Sequence, residues 1–400
     1  MNQTFLASDV DTHHNARTTP ANPHKDAPMP AAALHCMTQW TRAMRSFVLP
    51  AHGITYLTLK RRAARSNTHP PYACFDFSST EIDACMGRYL FHLVRDFMHQ
   101  GYMPLYRDRY RFLATMRYKK YKRKLLGLPF GIYRDIDQIG GPHLLITDNA
   151  SKTSPAAMKT IRVDYGERRP ADSREEPLPF FVHPHVQSHA AFPPTPDLAA
   201  ERPVRMFFGG NTNPKKYAAG PVVDKFRMLA RVEVLQQART QVDDMDIFQP
   251  NHPTQLQRLN PAVFLCAETQ RFRIPFETWL ATMQQADFFL ACPGAAMPLC
   301  HNVIEALACG TIPILQYQDY LHPALVNGRN CLTYHDRGSL AETIRVATTL
   351  SQSEVVTLRQ GAHAYFREHL RPGALSRRLL TRPCDEVTLL LNAYRVPLAA

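Results

Sequence analysis

Residues 292–314, with the sequence CPGAAMPLCHNVIEALACGTIPI, place a histidine and a carboxylate four residues apart, His301 and Glu305. That spacing puts both side chains on the same face of a helix. A carboxylate one turn into such a helix can accept hydrogen bonds from two adjacent hydroxyl groups, such as those of a ribose. The alternative interpretation is structural: Glu305 pairs with a surface arginine and His301 caps the helix.

The residues around this pair predict the elements that would hold it in place. The run DFFLAC is typical of a buried strand, Pro293 and Gly294 turn the chain, and a helix runs from about Leu299 to Cys309. Gly310 ends that helix and TIPIL begins another strand, which makes a βαβ unit. In such units ligands bind beyond the carboxyl ends of the strands, at helix N-termini whose unpaired amides favour phosphate groups. We therefore expect a phosphate or diphosphate near the start of the helix.

A second stretch, VRMFFGGNTNPKKY, has a strand followed by a loop of Gly209, Gly210 and Asn211. Glycines let the backbone of such a loop approach a ligand closely. Lys215 and Lys216 follow at a distance from which an ammonium group could reach a diphosphate. A tight turn between a strand and a helix explains the two glycines equally well.

Strands and helices alternate from YACFDFSS onward, which predicts parallel sheets with helices on both faces. We expect a disordered or loosely packed basic arm at 1–70, α/β domains at 71–200 and 201–350, and helices at 351–400. Within them, YRFLATMRYKKYKRKLLG is predicted to be a basic helix and LPFFVH a strand. The final DEVTLLLNAY is predicted to be helical.

Composition limits the possible partners. The net charge of +13 would attract polyanions, anionic lipid or phosphorylated substrates, but no zinc-finger spacing, RNP-like strand or basic heptad accompanies it. We therefore expect no nucleic acid. The segment 36–70, with Lys60, Arg61 and Arg62, could dock on an anionic membrane, or it could be a solvated arm. An odd set of 9 scattered cysteines without a CxxC pair favours reduced thiols and a cytoplasmic location.

The stretch FFLACPGAAMPLCHNVIEALACGTIPI resembles the nucleotide-binding segment of GT-B glycosyltransferases, especially exostosin-like enzymes and the C-terminal domain of group 1 glycosyltransferases. The resemblance covers residues 200–345 well and 74–190 loosely. It implies that Glu305 contacts the ribose of a nucleotide sugar and that the turn from Pro293 to Asn302 faces the diphosphate and sugar. It also implies that the loop Gly209-Gly210-Asn211 lies at the donor diphosphate. One position departs from the pattern: many retaining families carry a second glutamate where this chain has Met297.

The implied fold is α/β with two Rossmann-like domains facing a cleft, the acceptor domain first and the nucleotide-sugar domain second. The terminal helices would pack back on the first domain. His183 and His185 follow an apolar run, so a histidine near the cleft could take a proton from the acceptor hydroxyl. The alternative is a pair of surface histidines in a proline-rich loop. Asp76 and Ser78 are the other candidates, because they end the first predicted strand.

The predicted activity is transfer of a sugar from a nucleotide-diphosphate sugar to a hydroxyl of a glycan or lipid-linked acceptor. GT-B enzymes generally neutralise the leaving diphosphate with basic side chains and helix dipoles, so the resemblance implies neither a metal nor another cofactor. Two alternatives stay open. A nucleotide-sugar epimerase of the same fold would keep the donor site, and a basic protein that binds RNA or acidic lipid would use the sheets as a scaffold.

Overall fold

The computed structural model of the chain describes residues 50–65, 69–166, 170, 172–189, 192–243, 246–257, 259 and 261–391. Of the predicted disordered or loosely packed arm at 1–70, residues 1–49 and 66–68 therefore lie outside the described residues. All the elements below belong to one unit, Leu49–Ala400.

The strands form two fully parallel sheets. In chain order they are β1 Tyr72–Asp76, β2 Met103–Arg107, β3 Gly131–Tyr133, β4 His143–Thr147, β5 Lys159–Asp164, β6 Glu175–Pro177, β7 Val204–Gly210, β8 Ile247–Phe248, β9 Ala262–Glu268, β10 Ala286–Leu290, β11 Ile312–Leu315, β12 Leu332–Thr333 and β13 Glu386–Leu390. The first sheet has the order β3-β2-β1-β4-β5-β13-β6, and the second has β12-β11-β10-β7-β9-β8. The predicted α/β class with two parallel sheets is confirmed.

Helices connect the strands. The α-helices of the described residues are α1 Pro50–Ala64, α2 Ala84–His99, α3 Tyr110–Ala114, α4 Pro184–His189, α5 Pro214–Tyr217, α6 Pro221–Asp224, α7 Arg231–Thr240, α8 Phe276–Met283, α9 His301–Ala308, α10 Arg337–Thr349, α11 Gln352–Tyr365 and α12 Ala374–Thr381. Shorter 3₁₀ turns lie at Glu81–Asp83, Met116–Tyr118, Lys122–Gly127, Ile136–Gln138, Pro253–Leu256 and Gln318–Tyr320, and a π-helix at Phe366–Leu370 follows α11.

The predicted long basic helix is broken into three pieces, α3, Met116–Tyr118 and Lys122–Gly127. Two causes act together. Like charges three and four residues apart in KKYKRK destabilise a continuous helix. Lys122 also turns inward, where it is fully buried and its Nζ donates to Oδ1 of Asp83 at 2.9 Å.

The C-terminal segment differs from the prediction. Residues Glu386–Leu390 were expected to be helical, but they form β13 between β5 and β6 of the first sheet. Val387 and Leu389 are fully buried there. The alternation of apolar and polar residues fits a strand, and its hydrogen-bonding partners lie so far earlier in the chain that no local pattern indicates them. The predicted strand LPFFVH is irregular, and β6 immediately precedes it.

Helix α1 lies within the segment predicted to be an arm. Leu59 is buried against the first sheet's core, and Tyr56 donates from its Oη to Oδ1 of Asp108 at 2.6 Å. Lys60 donates to Oδ2 of the same carboxylate at 2.7 Å. Because Asp108 follows β2, these bonds tie the helix to the edge of the first sheet.

After α11 the chain returns from the second sheet to the first. Val355 and Leu358 of α11 are buried among residues of the second sheet. Asp96 of α2 then accepts hydrogen bonds from the backbone N–H groups of Gly373 (2.7 Å) and Ser376 (2.6 Å), at the start of α12. A carboxylate at a helix N-terminus satisfies amides that have no partner within the helix. The return of the chain is therefore fixed by a buried cap.

Candidate functional site

The βαβ unit β10-α9-β11 holds the residues with which the sequence analysis began. In the turn before α9, the Gly294 N–H donates to the carbonyl of Pro298 at 3.0 Å. A Cβ on Gly294 would lie 2.4 Å from the carbonyl oxygen of Met297, so no larger residue fits. Helix α9 begins at His301, and its N-cap, Cys300, makes no side-chain hydrogen bond to the helix. The first amides of α9 are therefore not capped by that side chain and can bind an anion.

Glu305 is fully buried, one turn into α9. Its Oε1 accepts from the backbone N–H of His183 at 2.8 Å, and its Oε2 accepts from Nε1–H of Trp279 at 2.6 Å. Nδ1 of His301 lies 3.3 Å from the same Oε2. The alternative of a surface arginine partner is wrong, because Glu305 accepts from the N–H groups of His183 and Trp279 and lies beside His301. A ligand can reach this carboxylate only if one of these groups moves.

The loop after β7 packs against the same helix. The Asn302 Nδ2 donates to the carbonyl of Gly209 at 3.1 Å, while its buried Oδ1 has no hydrogen-bond partner among the described residues. A Cβ on Gly209 would lie 2.6 Å from the Trp279 ring, so the tight packing of that ring requires a glycine. The side-chain oxygen of Asn211 accepts from Gln270 at 2.9 Å. The structure thus brings Gly209 and Asn302 into direct contact.

Arg231, the first residue of α7, joins the two loops. Its Nε and Nη2 donate to the carbonyl of Pro293 at 3.1 and 2.8 Å, and its Nη1 donates to the carbonyl of Asn211 at 3.0 Å. Its guanidinium stacks 4.0 Å from the centroid of the Tyr217 ring. Sequence reasoning missed this residue. The available signal was an arginine at the first position of a helix, where the helix dipole disfavours a positive charge.

Lys215 and Lys216 lie on α5, next to this pair of loops, and both are exposed. The carbonyl of Gly210 accepts a hydrogen bond from the N–H of Thr269 at 2.9 Å, which ties the loop after β7 to the end of β9. Of the predicted donor-binding residues, Gly209 therefore contacts α9 directly, and Arg231 joins the Asn211 and Pro293 loops, while the two lysines lie on the exposed helix that follows the Asn211 loop.

His183 is buried, with 9% of its surface exposed, and both its ring nitrogens are in use. Nδ1 accepts from the backbone N–H of His185 at 3.2 Å, and Nε2 lies 3.2 Å from Oη of Tyr121. The ring stacks on Phe276 with centroids 5.0 Å apart. Burial, with the positive neighbours His301, Arg88, His185 and Lys120, lowers the pKa of His183 to about 2. The ring is therefore neutral at pH 7, and it can accept a proton at Nδ1 only after releasing the His185 amide.

Asp76 is fully buried at the end of β1 and lies in an arginine cluster. Its Oδ1 accepts from Nε of Arg109 at 2.6 Å, and Nη1 of Arg107 is 3.5 Å from its Oδ2. Ser78 donates to Asp148 through both its N–H (2.7 Å) and its Oγ (2.8 Å). Within the described residues, the Asp76 carboxylate pairs with these two arginines and with none of the residues around Glu305.

A cavity of about 40 Å³ lies where the segment after β6 meets the approach to α9. Its lining includes Tyr89 and Leu178 on one side and Met297, Leu299 and Tyr320 on the other. Met297, which stands where the resemblance places a second glutamate, therefore contributes to a mainly apolar wall.

The described part of the chain has neither a metal-binding group of side chains nor a membrane-spanning helix. It contains no group of three or more His, Cys, Asp or Glu side chains placed to hold a metal ion. Its helices include none with the length and apolar character that crossing a bilayer requires.

No protein-family model and no curated protein sequence matches the chain. Among solved structures, it is similar to HepE (Alr3699) of Anabaena in complex with UDP, at 12% identity and a TM-score of 0.38, over 77% of this chain and 97% of HepE. It is similar to a glycosyltransferase of Rickettsia africae, at 10% identity and a TM-score of 0.41, over 78% and 97% of the two chains. A third is the sucrose-phosphate synthase of Thermosynechococcus elongatus, at 12% identity and a TM-score of 0.36, over 77% and 97%. At these identities and TM-scores the likeness assigns no activity to this chain.

Proposed function

We propose that the protein is a GT-B glycosyltransferase that moves a sugar from a nucleotide-diphosphate sugar to a hydroxyl acceptor. The observation that carries the proposal is the convergence at α9. An N-terminus without a side-chain cap, a turn that admits only glycine at Gly294, and a buried carboxylate at Glu305 all lie within one βαβ unit. This combination offers an anion site and, about one helical turn away, a carboxylate that can accept hydrogen bonds from hydroxyl groups. A nucleoside diphosphate carries both a diphosphate and ribose hydroxyls.

In this proposal the diphosphate binds at the start of α9, close to the loop of Gly209, Gly210 and Asn211. The ammonium groups of Lys215 and Lys216 approach it from the exposed α5. The unpartnered Oδ1 of Asn302 can accept a hydrogen bond from a donor-sugar hydroxyl. The bond from the anomeric carbon to the diphosphate breaks while the acceptor oxygen forms the new bond. The helix dipole and the lysines stabilise the negative charge that develops on the leaving diphosphate.

The ribose is proposed to bind Glu305, which requires a rearrangement. His301 covers one carboxylate oxygen and keeps 31% of its side chain exposed, so it can move outward more readily than the buried His183 segment. The Trp279 N–H bonds to the same oxygen and competes with a ribose hydroxyl. We also propose that the protein is related to the exostosin-like enzymes, which the segment around α9 resembles.

The acceptor is proposed to bind at the first sheet, and His183 and Asp76 are the proposed catalytic residues. For His183 to act as a base, binding must free Nδ1 from the His185 amide and so raise the basicity of the ring. For Asp76, the two arginines would have to exchange their bonds for bonds to substrate. Met297 carries no charge, so we assign no nucleophile to that position.

The face of α1 supports contact with an anionic membrane, which would suit a lipid-linked acceptor. Ile54 and Leu57 are exposed by 62% and 53%, and Arg61, Arg62 and Arg65 follow them around a shallow basic surface. Apolar side chains flanked by arginines favour insertion at a negatively charged lipid surface.

Nucleotide binding tests the proposed activity. We expect UDP, GDP or ADP to raise the melting temperature, and a matching nucleotide sugar to be hydrolysed slowly without an acceptor. UDP is the first to try, since the HepE structure contains it. Glu305→Ala should weaken nucleotide binding about 10-fold or more, because a hydrogen bond to a charged group contributes about 1.5–3 kcal/mol.

Two further variants control this test. Glu305→Gln keeps one acceptor for the buried N–H groups and so separates folding from binding. Glu342→Ala removes an exposed carboxylate, 57% of whose side chain is accessible, and should leave nucleotide binding unchanged. No stabilisation by any of the nucleotides would refute the proposal. Interconversion of nucleotide sugars without transfer would favour the epimerase alternative, and salt-dependent RNA binding without nucleotide binding would favour a basic binding protein.

A further inference from the structure

A group of cations next to the candidate site has no ion-pair partner within the part of the chain that the structure describes. Arg88 and Arg95 lie on α2, and Lys120 and Lys124 lie in the segment that follows α3. The guanidinium carbon of Arg88 and the Nζ of Lys120 lie 5.1 and 5.4 Å from the centroid of one ring, that of Tyr121. We call Arg88, Arg95, Lys120 and Lys124 the Tyr121 cluster.

The members of this cluster form no ion pair between described residues, and the buried Nε atoms of Arg88 and Arg95 have no hydrogen-bond partner there. Lys124 donates to Oγ of Ser188 at 3.1 Å. Elsewhere the buried Arg231 and Lys159 donate to backbone carbonyls, and several other cations have a carboxylate: Lys122 has Asp83, Arg359 has Asp287, Arg378 has Glu176 and Arg109 has Asp76. Repulsion among unpaired like charges in a partly desolvated place is unfavourable unless an anion compensates it.

The charged groups that shift the pKa values of Lys124 and His183 agree with the lack of ion pairs in the cluster. Burial and the positive charges of Lys120, Arg95 and Arg123 lower the pKa of Lys124, and no acidic group is among the causes. Every charged group that shifts the pKa of His183 is also basic. Among the described residues, the charged groups that act on Lys124 are therefore all basic, and the local field at the cluster is positive.

The cluster is connected to the candidate donor site through two contacts. The Tyr121 hydroxyl lies 3.2 Å from Nε2 of His183, and the backbone N–H of His183 donates to Glu305 at 2.8 Å. Two residues, Tyr121 and His183, thus connect the cluster to the carboxylate proposed to bind the ribose. The cations lie on elements between strands of the first sheet, where the proposed function places the acceptor.

We propose that the acceptor carries a phosphate group and that the Tyr121 cluster binds this group. Arginine and lysine side chains without a carboxylate partner match the oxygens of a phosphate, which accepts several charge-assisted hydrogen bonds at once. The inference rests on the proposed function for its location, since it places the phosphate beside a donor bound at α9.

The test measures inorganic phosphate binding to the full-length protein saturated with UDP, so that the donor site cannot take up the phosphate. We expect calorimetric binding to the parent protein and a loss of at least about 10-fold in affinity for Arg88→Gln/Lys120→Gln, because each charge-assisted hydrogen bond that is lost weakens binding by about that factor. Arg367→Gln/Arg371→Gln removes the same net charge from exposed positions elsewhere and should retain phosphate binding. Lys120→Gln alone, at an exposed site, gives a variant whose folding is not in question.

The possible results distinguish a site for an acceptor phosphate from a site for the donor diphosphate. Loss of phosphate binding with unchanged UDP affinity supports an acceptor phosphate. If the cluster variant loses UDP affinity by the same factor, the cluster serves the donor diphosphate and the inference is overturned. An equal loss in the control variant, or no phosphate binding to the parent protein while UDP binds, also overturns it. If phosphate binds through the cluster but no nucleotide binds, the proposed function fails while the cluster remains an anion site.

Discussion

Replacing Trp279 with phenylalanine tests the competition between this side chain and a ribose for Glu305. The variant keeps an aromatic ring against Phe207, whose centroid is 5.5 Å from that of Trp279, but loses the N–H that donates to Oε2 at 2.6 Å. A hydrogen bond to a buried charged group contributes about 1.5–3 kcal/mol. The smaller ring adds roughly 1 kcal/mol for lost packing. The free energy of unfolding should therefore fall by about 3 kcal/mol, measured by urea denaturation at pH 7.

Nucleotide affinity should change in the opposite direction. With the indole N–H gone, one oxygen of Glu305 is open to the ribose without a bond having to be broken. The gain is bounded by the strength of that bond, which corresponds to an increase in affinity of about 10-fold for UDP or whichever nucleotide binds. Calorimetry on the parent protein and the variant measures it.

A packing control separates the two effects. Phe207→Leu removes ring contacts beside Trp279 without touching the hydrogen bond, so it should lower stability and leave nucleotide affinity unchanged. A Trp279→Phe variant that is folded yet binds nucleotide more than 10-fold more weakly would refute the competition, because the indole would then contact the ligand. Unchanged stability would show that the bond to Glu305 contributes nothing to the fold.

Three more predictions follow from individual contacts. Gly294→Ala should destabilise the protein by about 2 kcal/mol or more, measured by thermal unfolding, because its Cβ would meet the Met297 carbonyl at 2.4 Å and the turn must shift. Since the pKa of His183 is lowered to about 2 from an ordinary value near 6.5, the unfolded chain binds a proton that the folded chain does not, and stability falls as the pH drops below about 6.5. This loss amounts to about 2 kcal/mol between pH 6.5 and pH 5, and urea titrations at both pH values should show it reduced in His183→Asn. Ile54→Ser/Leu57→Ser should reduce sedimentation with phosphatidylserine vesicles several-fold while leaving nucleotide binding intact, and equal sedimentation of parent and variant would exclude this face of α1 as the lipid contact.

The repeated strand and helix patterns were enough to predict the α/β class, because buried parallel strands and amphipathic helices are local signals. The spacing of His301 and Glu305 likewise predicted that they share one face of a helix, and in the structure Nδ1 of His301 lies 3.3 Å from Oε2 of Glu305. The other partners of Glu305 could not be predicted in this way. Trp279 and His183 are separated from it by 26 and 122 residues, and no local pattern indicates which distant N–H group a buried carboxylate will accept from.

The position of β13 was missed for a related reason. Its alternation of polar and apolar residues covers only four positions before a run of leucines, and so short a segment is compatible with either a buried helix or a strand. Pairing with β5 and β6 makes this segment a strand, and these two strands lie far away in the chain. Arg231 was missed because its role depends on two carbonyl groups, those of Pro293 and Asn211, that meet only in the folded protein.

The insertion of β13 between β5 and β6 has a consequence for synthesis on the ribosome. Strand β6 is joined to the rest of its sheet only through β13, so this edge cannot assemble until nearly the whole chain has emerged. The first sheet can therefore be completed only after the second sheet has been translated, although most strands of the first sheet come earlier in the sequence. Pairing over such a separation closes a long loop at a late stage and makes folding slow. An N-terminal fragment ending before α12 would lack the centre of that edge, so the two sheets are not independent folding modules.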